Sequence, residues 1–338
     1  MEPAFALCTV TLYAFVVLPL ISGVMITVDS FFAWMVSRAS SPVYVTSPTV
    51  AETESAESKL IGYTCMDGTN PFFKTLENAI REVVEANGDK LISFDPQNDS
   101  ETQNAQIEEM ISHGIDALFV NPVDKDNIAE TLAKVKAAGI PMFGFDTEPT
   151  DSSCLETYVG SDNYNAGFVC GLDLCEKLPE GGPIIILDSP MTQSIVDRTN
   201  GFLDAIKDKN FEVVAQLDAK ANQEQGSIKC LDALTEHPEA LCIFCGNDPT
   251  ALGALSSANS AYSSALIYGI DGSPEIKALI AEGKITGTGA QSPTNIGKTV
   301  AELFYKWSAG EKIESYYTID TFIINSDNVD EYNNGDWQ

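Results

Sequence analysis

Six polar residues stand where apolar runs stop, and they recur in the same order. Asp95, Asn121 and Asp146 follow the runs LISF, ALFV and MFGF, while Asp218, Asn247 and Asp271 close FEVVAQLD, LCIFCGN and LIYGID. Carboxylates accept hydrogen bonds, and carboxamides both donate and accept them. A doubled Asp–Asn–Asp set facing one space would suit a hydroxyl-rich ligand, with the charged acceptors making the stronger bonds. Asp and Asn at such positions also act as helix N-caps. That role explains any one of the six but does not readily explain the doubled set. Asn70-Pro71-Phe72-Phe73 follows another apolar run. Pro71 suits a first helical turn. Phe72 and Phe73 could pack on the C–H face of a ring, with one of the two expected in the core. Arg198 lies on a later amphipathic stretch. Its donor fork is permanently charged, although a single helix arginine is usually solvated.

The elements that position these residues are legible from Lys59 onward. Short apolar runs alternate with amphipathic stretches of helical period. A first set starts at Lys59, Lys90, Ala117 and Pro141, with spacings of 31, 27 and 24 residues. A second set starts at Pro183, Phe211, Leu241 and Leu266, with spacings of 28, 30 and 25. Each spacing holds one strand and one helix, the size of a βαβ step. Near-continuous apolar strands imply parallel sheets covered on both faces. The expectation is two similar α/β lobes in series. Ligands of open α/β sheets sit at the carboxyl ends of the strands, which is where the six polar residues fall.

Composition narrows the partners. The 338 residues are enough for two domains and carry a net charge of −30. From Ser58 onward there are 44 acidic and 18 basic side chains. Such a surface repels nucleic acid, anionic lipid and free anionic substrates. It also serves solubility. The eight cysteines are scattered, mostly within apolar runs, and do not read as a disulfide framework. Cys242 and Cys245 lie three apart on an expected strand, so their side chains point to opposite faces and do not form a metal or redox pair. The amino-terminal region is export-like but irregular. Pro3 to Val28 has no charge and is long enough to span a bilayer. It lacks the basic start of a secretory signal. A Ser/Thr/Pro/Ala-rich stretch, 39–58, follows and reads as a tether. An odd signal peptide, an uncleaved anchor and a misassigned start codon all stay open.

NPFF after the first run, FVNP, GFD, DRTNGF, FCGNDPTALGAL, YGIDGSP and GAQSPTNIG occur in order between about Lys59 and Asn328. Together they resemble the periplasmic ribose-type sugar-binding proteins, which have the type I periplasmic binding protein fold. The resemblance implies an α/β protein of two Rossmann-like lobes with parallel sheets, joined by a three-strand hinge. The hinge strands would cross near Ser161–Asn163, Gln291–Ser292 and Asp320–Thr321. The amino-terminal lobe would hold 59–161 plus 292–320, and the carboxy-terminal lobe 162–291 plus 321–338, after the segment 1–58. The family's ligand positions fall on Asn70, Phe72, Phe73, Asn121, Asp146, Arg198, Asn247, Asp271 and Gln291. The chain departs from the ribose binders at three places. Thr147 replaces an arginine, Ile270 replaces an aromatic residue, and a further aromatic position falls near Ala221 or Asn222. A pentose other than ribose, a hexose or a related polyol fits the changed shape.

The resemblance implies a small neutral carbohydrate ligand, no cofactor, no metal and no catalysis. It implies an extracytoplasmic protein that serves the membrane subunits of an ABC transporter or a chemoreceptor. A monomer is expected because the cleft forms within one chain. The enzyme readings fare less well on the residues. CMDGTNPFF lacks the Gly-x-Gly-x-x-Gly turn of a dinucleotide site. His113 and His237 both precede strands, at the end of the sheet away from the cleft, so neither can serve Cys65 or Cys245 as a base. Paired carboxylates hydrolysing a glycoside is the strongest enzyme alternative. A repressor would carry a basic helix-turn-helix before the first lobe, yet that region contains one basic residue, Arg38.

Overall fold

The computed structural model describes residues 58–261, 263–332 and 335–338. The apolar amino-terminal segment, nearly all of the tether and Cys8 lie outside the described residues. Two six-stranded sheets organise the rest. The first contains β1 (Leu60–Thr64), β2 (Lys90–Phe94), β3 (Ala117–Val120), β4 (Met142–Phe145), β5 (Thr157–Ser161) and β11 (Tyr316–Ile319). The second contains β6 (Gly182–Asp188), β7 (Phe211–Asp218), β8 (Cys242–Cys245), β9 (Leu266–Asp271), β10 (Gly287–Ala290) and β12 (Phe322–Asn325). The strand orders are 11-5-4-3-1-2 and 12-10-9-8-6-7. The second sheet therefore repeats the first with one exception. β11 runs parallel to β5, whereas β12 runs antiparallel to β10.

Nine α-helices accompany these strands among the described residues: α1 (Pro71–Ala86), α2 (Ser100–Ser112), α3 (Ala129–Ala137), α4 (Asn163–Lys177), α5 (Gln193–Ile206), α6 (Gln223–Glu236), α7 (Asp248–Ser260), α8 (Pro274–Ala281) and α9 (Pro293–Ser308). They cover both faces of each sheet, as apolar parallel strands require. Ile61, Phe119, Phe143 and Phe145 pack with α1 and α9 on one face of the first sheet. Leu118, Val120 and Met142 pack with α2 and α3 on the other. In the second sheet Cys242 belongs to the core under α4 and α5, while Cys245 belongs to the core under α6 and α7. The two thiols thus sit on opposite faces, as strand alternation demands. The seven described cysteines are free. Burial pushes the thiol of Cys65, and that of Cys230, up to about 12.

The chain passes between sheets at three places: after β5, after β10, and between β11 and β12. Two of these passages are bonded together. The Asp162 N–H donates to Ile319 O at 2.9 Å, and Thr321 Oγ1 donates to Asp162 O at 2.9 Å.

Candidate functional site

The carboxyl ends of the two sheets face one another across a narrow cavity. Asn70, Phe72, Phe73 and Asp146 line it from the first sheet's side, with Met66. Arg198, Asn247 and Asp271 line it from the second, with Thr192, Ser194, Ile195 and Ala221, and Gln291 lies at a passage between sheets.

Asp146 is the residue after β4, and its φ of 60° is left-handed, a region that Asp tolerates better than most residues. The turn aims its carboxylate into the cavity. Oδ2 accepts from Asn121 Nδ2 at 3.1 Å and from Thr147 Oγ1 at 3.2 Å. Oδ1 is buried and has no hydrogen-bond partner among the described residues. Burial raises this carboxyl above its ordinary range, and the Arg198 guanidinium opposes the rise.

Asp271, the last residue of β9, has a φ of 146°. Its surroundings are fuller. Oδ1 accepts from Gln291 Nε2 at 2.7 Å and lies 3.7 Å from Arg198 Nη1, while Oδ2 accepts from the Asp248 N–H at 3.3 Å. Burial and then the Asp248 carboxylate hold Asp271 well above the usual carboxylate range, with Arg198 opposing and Asp146 adding to the rise. Asp271 therefore senses the Asp146 carboxylate across the cavity.

Arg198 is 4% exposed, unlike a solvated helix arginine. Its Nε donates to Asn163 Oδ1 at 2.8 Å and its Nη1 to Gly246 O at 2.9 Å. Close packing of α4 against α5 makes this burial possible. A Cβ at Gly167 would collide with the Arg198 carbonyl, and one at Gly201 with that of Tyr164.

The remaining expected residues divide by role. Phe72 and Phe73 are both core residues and both line the cavity, meeting edge-on at 5.4 Å. Asn70 caps α1, its Oδ1 accepting from the Phe72 N–H at 2.9 Å. Asn247 caps α7 through the Thr250 N–H at 3.0 Å and ties Ala221 O through Nδ2 at 2.8 Å. Asn121 is fully buried behind Asp146 and does not line the cavity; its Oδ1 accepts from the Met66 N–H at 3.0 Å. Gln291 Oε1 is a second buried acceptor with no hydrogen-bond partner among the described residues. Asp95 and Asp218 do not line the cavity. Each closes a turn on the N–H two residues ahead, Gln97 and Lys220.

Sequence reasoning missed several contributors. Thr147 Oγ1 and Ser194 Oγ bond at 2.8 Å, joining the residue after Asp146 to the first turn of α5. Asp248 is buried beside Asp271, accepting from Thr288 Oγ1 at 2.8 Å and the Ser273 N–H at 2.7 Å. Ile270 is in the core of the second sheet, so the departure there does not alter the cavity wall. Ala221 does line the cavity, at a φ of 54°. Among the described residues no group of three or more His, Cys, Asp and Glu is arranged to hold a metal ion.

Two matched α/β lobes with a polar cavity between their strand ends define a two-lobed ligand-binding protein. The chain belongs to the periplasmic binding protein domain family, whose model matches residues 61–312. It is 32% identical to the ribose import binding protein of Bacillus subtilis, over 75% of this chain and 83% of that one. It is 29% identical to the ribose import binding protein of Escherichia coli, over 75% and 86%. Among solved structures, the ABC transporter solute binding protein from Bacillus halodurans with bound myo-inositol superposes with a TM-score of 0.76 at 27% identity, over 83% of this chain and 99% of that one.

Proposed function

We propose that this protein is a non-enzymatic, extracytoplasmic receptor that captures a monosaccharide or related polyol between its lobes. It then presents the closed complex to the membrane subunits of an ABC transporter, acting as a monomer. The observation that carries this reading is the pair of buried acceptors, Asp146 Oδ1 and Gln291 Oε1, that have no partner among the described residues, at one small cavity between Phe72, Phe73 and Arg198. Unpaired buried acceptors cost about 1–3 kcal/mol each. A ligand rich in hydroxyl donors removes that cost, and an apolar one does not. The names of the ribose-binding relatives and the myo-inositol in a similar structure support a polyhydroxylated ligand.

The site residues we assign are Asn70, Phe72, Phe73, Asp146, Arg198, Asn247, Asp271 and Gln291, with Asn121 acting through Asp146. The lobes we assign are 59–161 plus 292–320 and 162–291 plus 321–338. Strand membership and the three passages support this division. A ligand that bonds to both lobes favours their closed arrangement through its higher affinity for it. Among the described residues no helix is long and apolar enough to cross a membrane.

Thermal melting against pentoses, hexoses and polyols tests the reading. A ligand at 100 times its Kd should add about 2.7 kcal/mol of stability. Flat curves across the whole panel would remove it, and turnover of a glycoside would transfer the protein to the enzymes.

A further inference from the structure

Residues Asp336–Gln338 lie against both walls of the cavity. On the second lobe, Gln338 Nε2 donates to Asp271 O at 3.1 Å and also to Gln291 O, so one amide holds the backbone of two cavity residues. Ser292 Oγ donates to Gln338 O. Lys277, on α8, is 1% exposed, and its ammonium donates to Asp336 O at 2.5 Å and to Gln338 Oε1 at 3.3 Å. Buried lysines need partners, and this segment supplies two of them. Gly272 leaves room for the contact, because a Cβ there would run into the Gln338 amide. On the first lobe, the Trp337 indole meets Phe72 edge-on at 5.7 Å, and Phe72 lines the cavity.

We infer that Asp336–Gln338 is a clasp: Gln338 and Trp337 are positioning residues that set Asp271 and Gln291 against Phe72 and favour the closed lobes. The inference rests on the two-lobed receptor reading. The bonds of Gln338 to Asp271 and Gln291 and those of Lys277 fix the polar half of the clasp to the second lobe. Among the described contacts of the clasp, Ser292 joins it at the passage after β10 and Trp337–Phe72 spans to α1 of the first lobe, so the aromatic contact forms when α1 approaches and breaks when α1 withdraws. Edge-on aromatic pairs are weak enough to make and break during binding, and losing this one should weaken affinity by about three- to tenfold. The loss should appear in the dissociation rate, since related complexes differ mainly there.

Trp337→Ala, Trp337→Phe and Gln338→Ala test the clasp, with small-angle scattering on the ligand-free proteins as the first measurement. The alanine variants should show a larger radius of gyration at an unchanged melting midpoint, and Trp337→Phe should restore the wild-type value. Unchanged scattering in both alanine variants overturns the clasp. So does expansion matched by a fall in melting midpoint, which would mark a plain structural role. D-ribose, D-allose and myo-inositol are the probes for the second measurement, stopped-flow dissociation. Faster release from Trp337→Ala of any probe that binds supports the clasp, and equal release rates overturn it. If none of the three binds wild type, the ribose-like form of the ligand reading fails, while the scattering result still decides the clasp.

Discussion

The two lobes share a plan and differ in how completely they satisfy it. Each has a polar residue in the third position of its Asp–Asn–Asp series, Asp146 and Asp271, with positive φ at the end of its fourth strand. Each also has a turn-closing Asp, Asp95 or Asp218, followed by left-handed residues: Gln97 and Asn98 in one lobe, Lys220 and Ala221 in the other. Asp271 is engaged on both oxygens, by Gln291, Asp248 and the nearby Arg198. Asp146 keeps one buried oxygen without a partner among the described residues. Pre-organised groups cost nothing to orient when a ligand arrives. Asp271 therefore has the character of a prepared group and Asp146 of one that a ligand completes, while Gln291 beside Asp271 keeps a buried acceptor of its own among the described residues. Gene-level similarity of the halves would not distinguish these roles; the hydrogen-bond inventory does.

Removing Arg198 should break the comparison most severely. Its guanidinium joins α5 to Asn163 of α4, to Gly246 after β8, and by charge to Asp271. Truncating one member of a buried charge pair costs about 3–5 kcal/mol, because the other is left uncompensated. Arg198→Ala should therefore lower the chemical-denaturation midpoint as well as abolish ligand binding. Lost binding with unchanged stability would show that Arg198 does not pre-organise the second lobe.

Asp146→Asn sharpens the comparison with a smaller effect. Asparagine accepts the left-handed backbone and can keep the bond network with Asn121 and Thr147. With its one oxygen held by those bonds, it presents an NH2 donor to the ligand in place of the charged Oδ1 acceptor. The hydrogen bond to a charged acceptor that is lost is worth about 1.5–3 kcal/mol. Affinity measured by calorimetry should fall about tenfold, with stability unchanged or raised, since burial already disfavours the charged form. A large stability loss would mean that Asp146 is structural and the lobes are alike.

How much of this was legible in the sequence depends on burial. Strands β1, β3, β4, β6, β8 and β9 announce themselves as apolar runs because helices cover both their faces, while the edge strands β2 and β7 are readable as such runs although they are only partly buried. β10, Gly287–Ala290, does not. It reads GTGA, yet it is buried throughout, because small residues let α4 come close: a Cβ at Gly289 would meet Ala166 O at 2.5 Å. β11 and β12 are partly exposed and lack a continuous apolar run. In the cavity, Asp146 and Asp271 were readable as strand ends. Arg198 was readable only through the family resemblance, since the glycine packing that buries it leaves no periodic signal. Ser194 and Trp337 carry no positional signature; tertiary approach alone brings them to the site.

Acidification provides the gentlest test of the difference between the lobes. Asp271 and Asp248 both lie above the ordinary carboxylate value of 3.8 in the folded state, chiefly through burial. Below that value both folded and unfolded chains are protonated, and the full stability is present. As pH rises above it, the unfolded chain ionises first while the folded carboxyls hold their protons, so stability is lost through the window up to the raised folded values. The ligand-free melting midpoint should accordingly rise as pH falls through the raised folded values toward the ordinary carboxylate value. Relief of surface repulsion in so acidic a chain acts in the same direction, so the wild-type slope alone does not assign the cause. Asp271→Asn does, because it removes one raised group and leaves the surface charge almost untouched. The slope of midpoint against pH should flatten in Asp271→Asn and flatten less in Asp146→Asn, whose carboxyl is raised without a neighbouring carboxylate among its causes. Equal flattening in the two variants would erase the electrostatic distinction between the lobes. An unflattened slope in Asp271→Asn would show that Arg198 neutralises Asp271 fully and that burial leaves no proton on it.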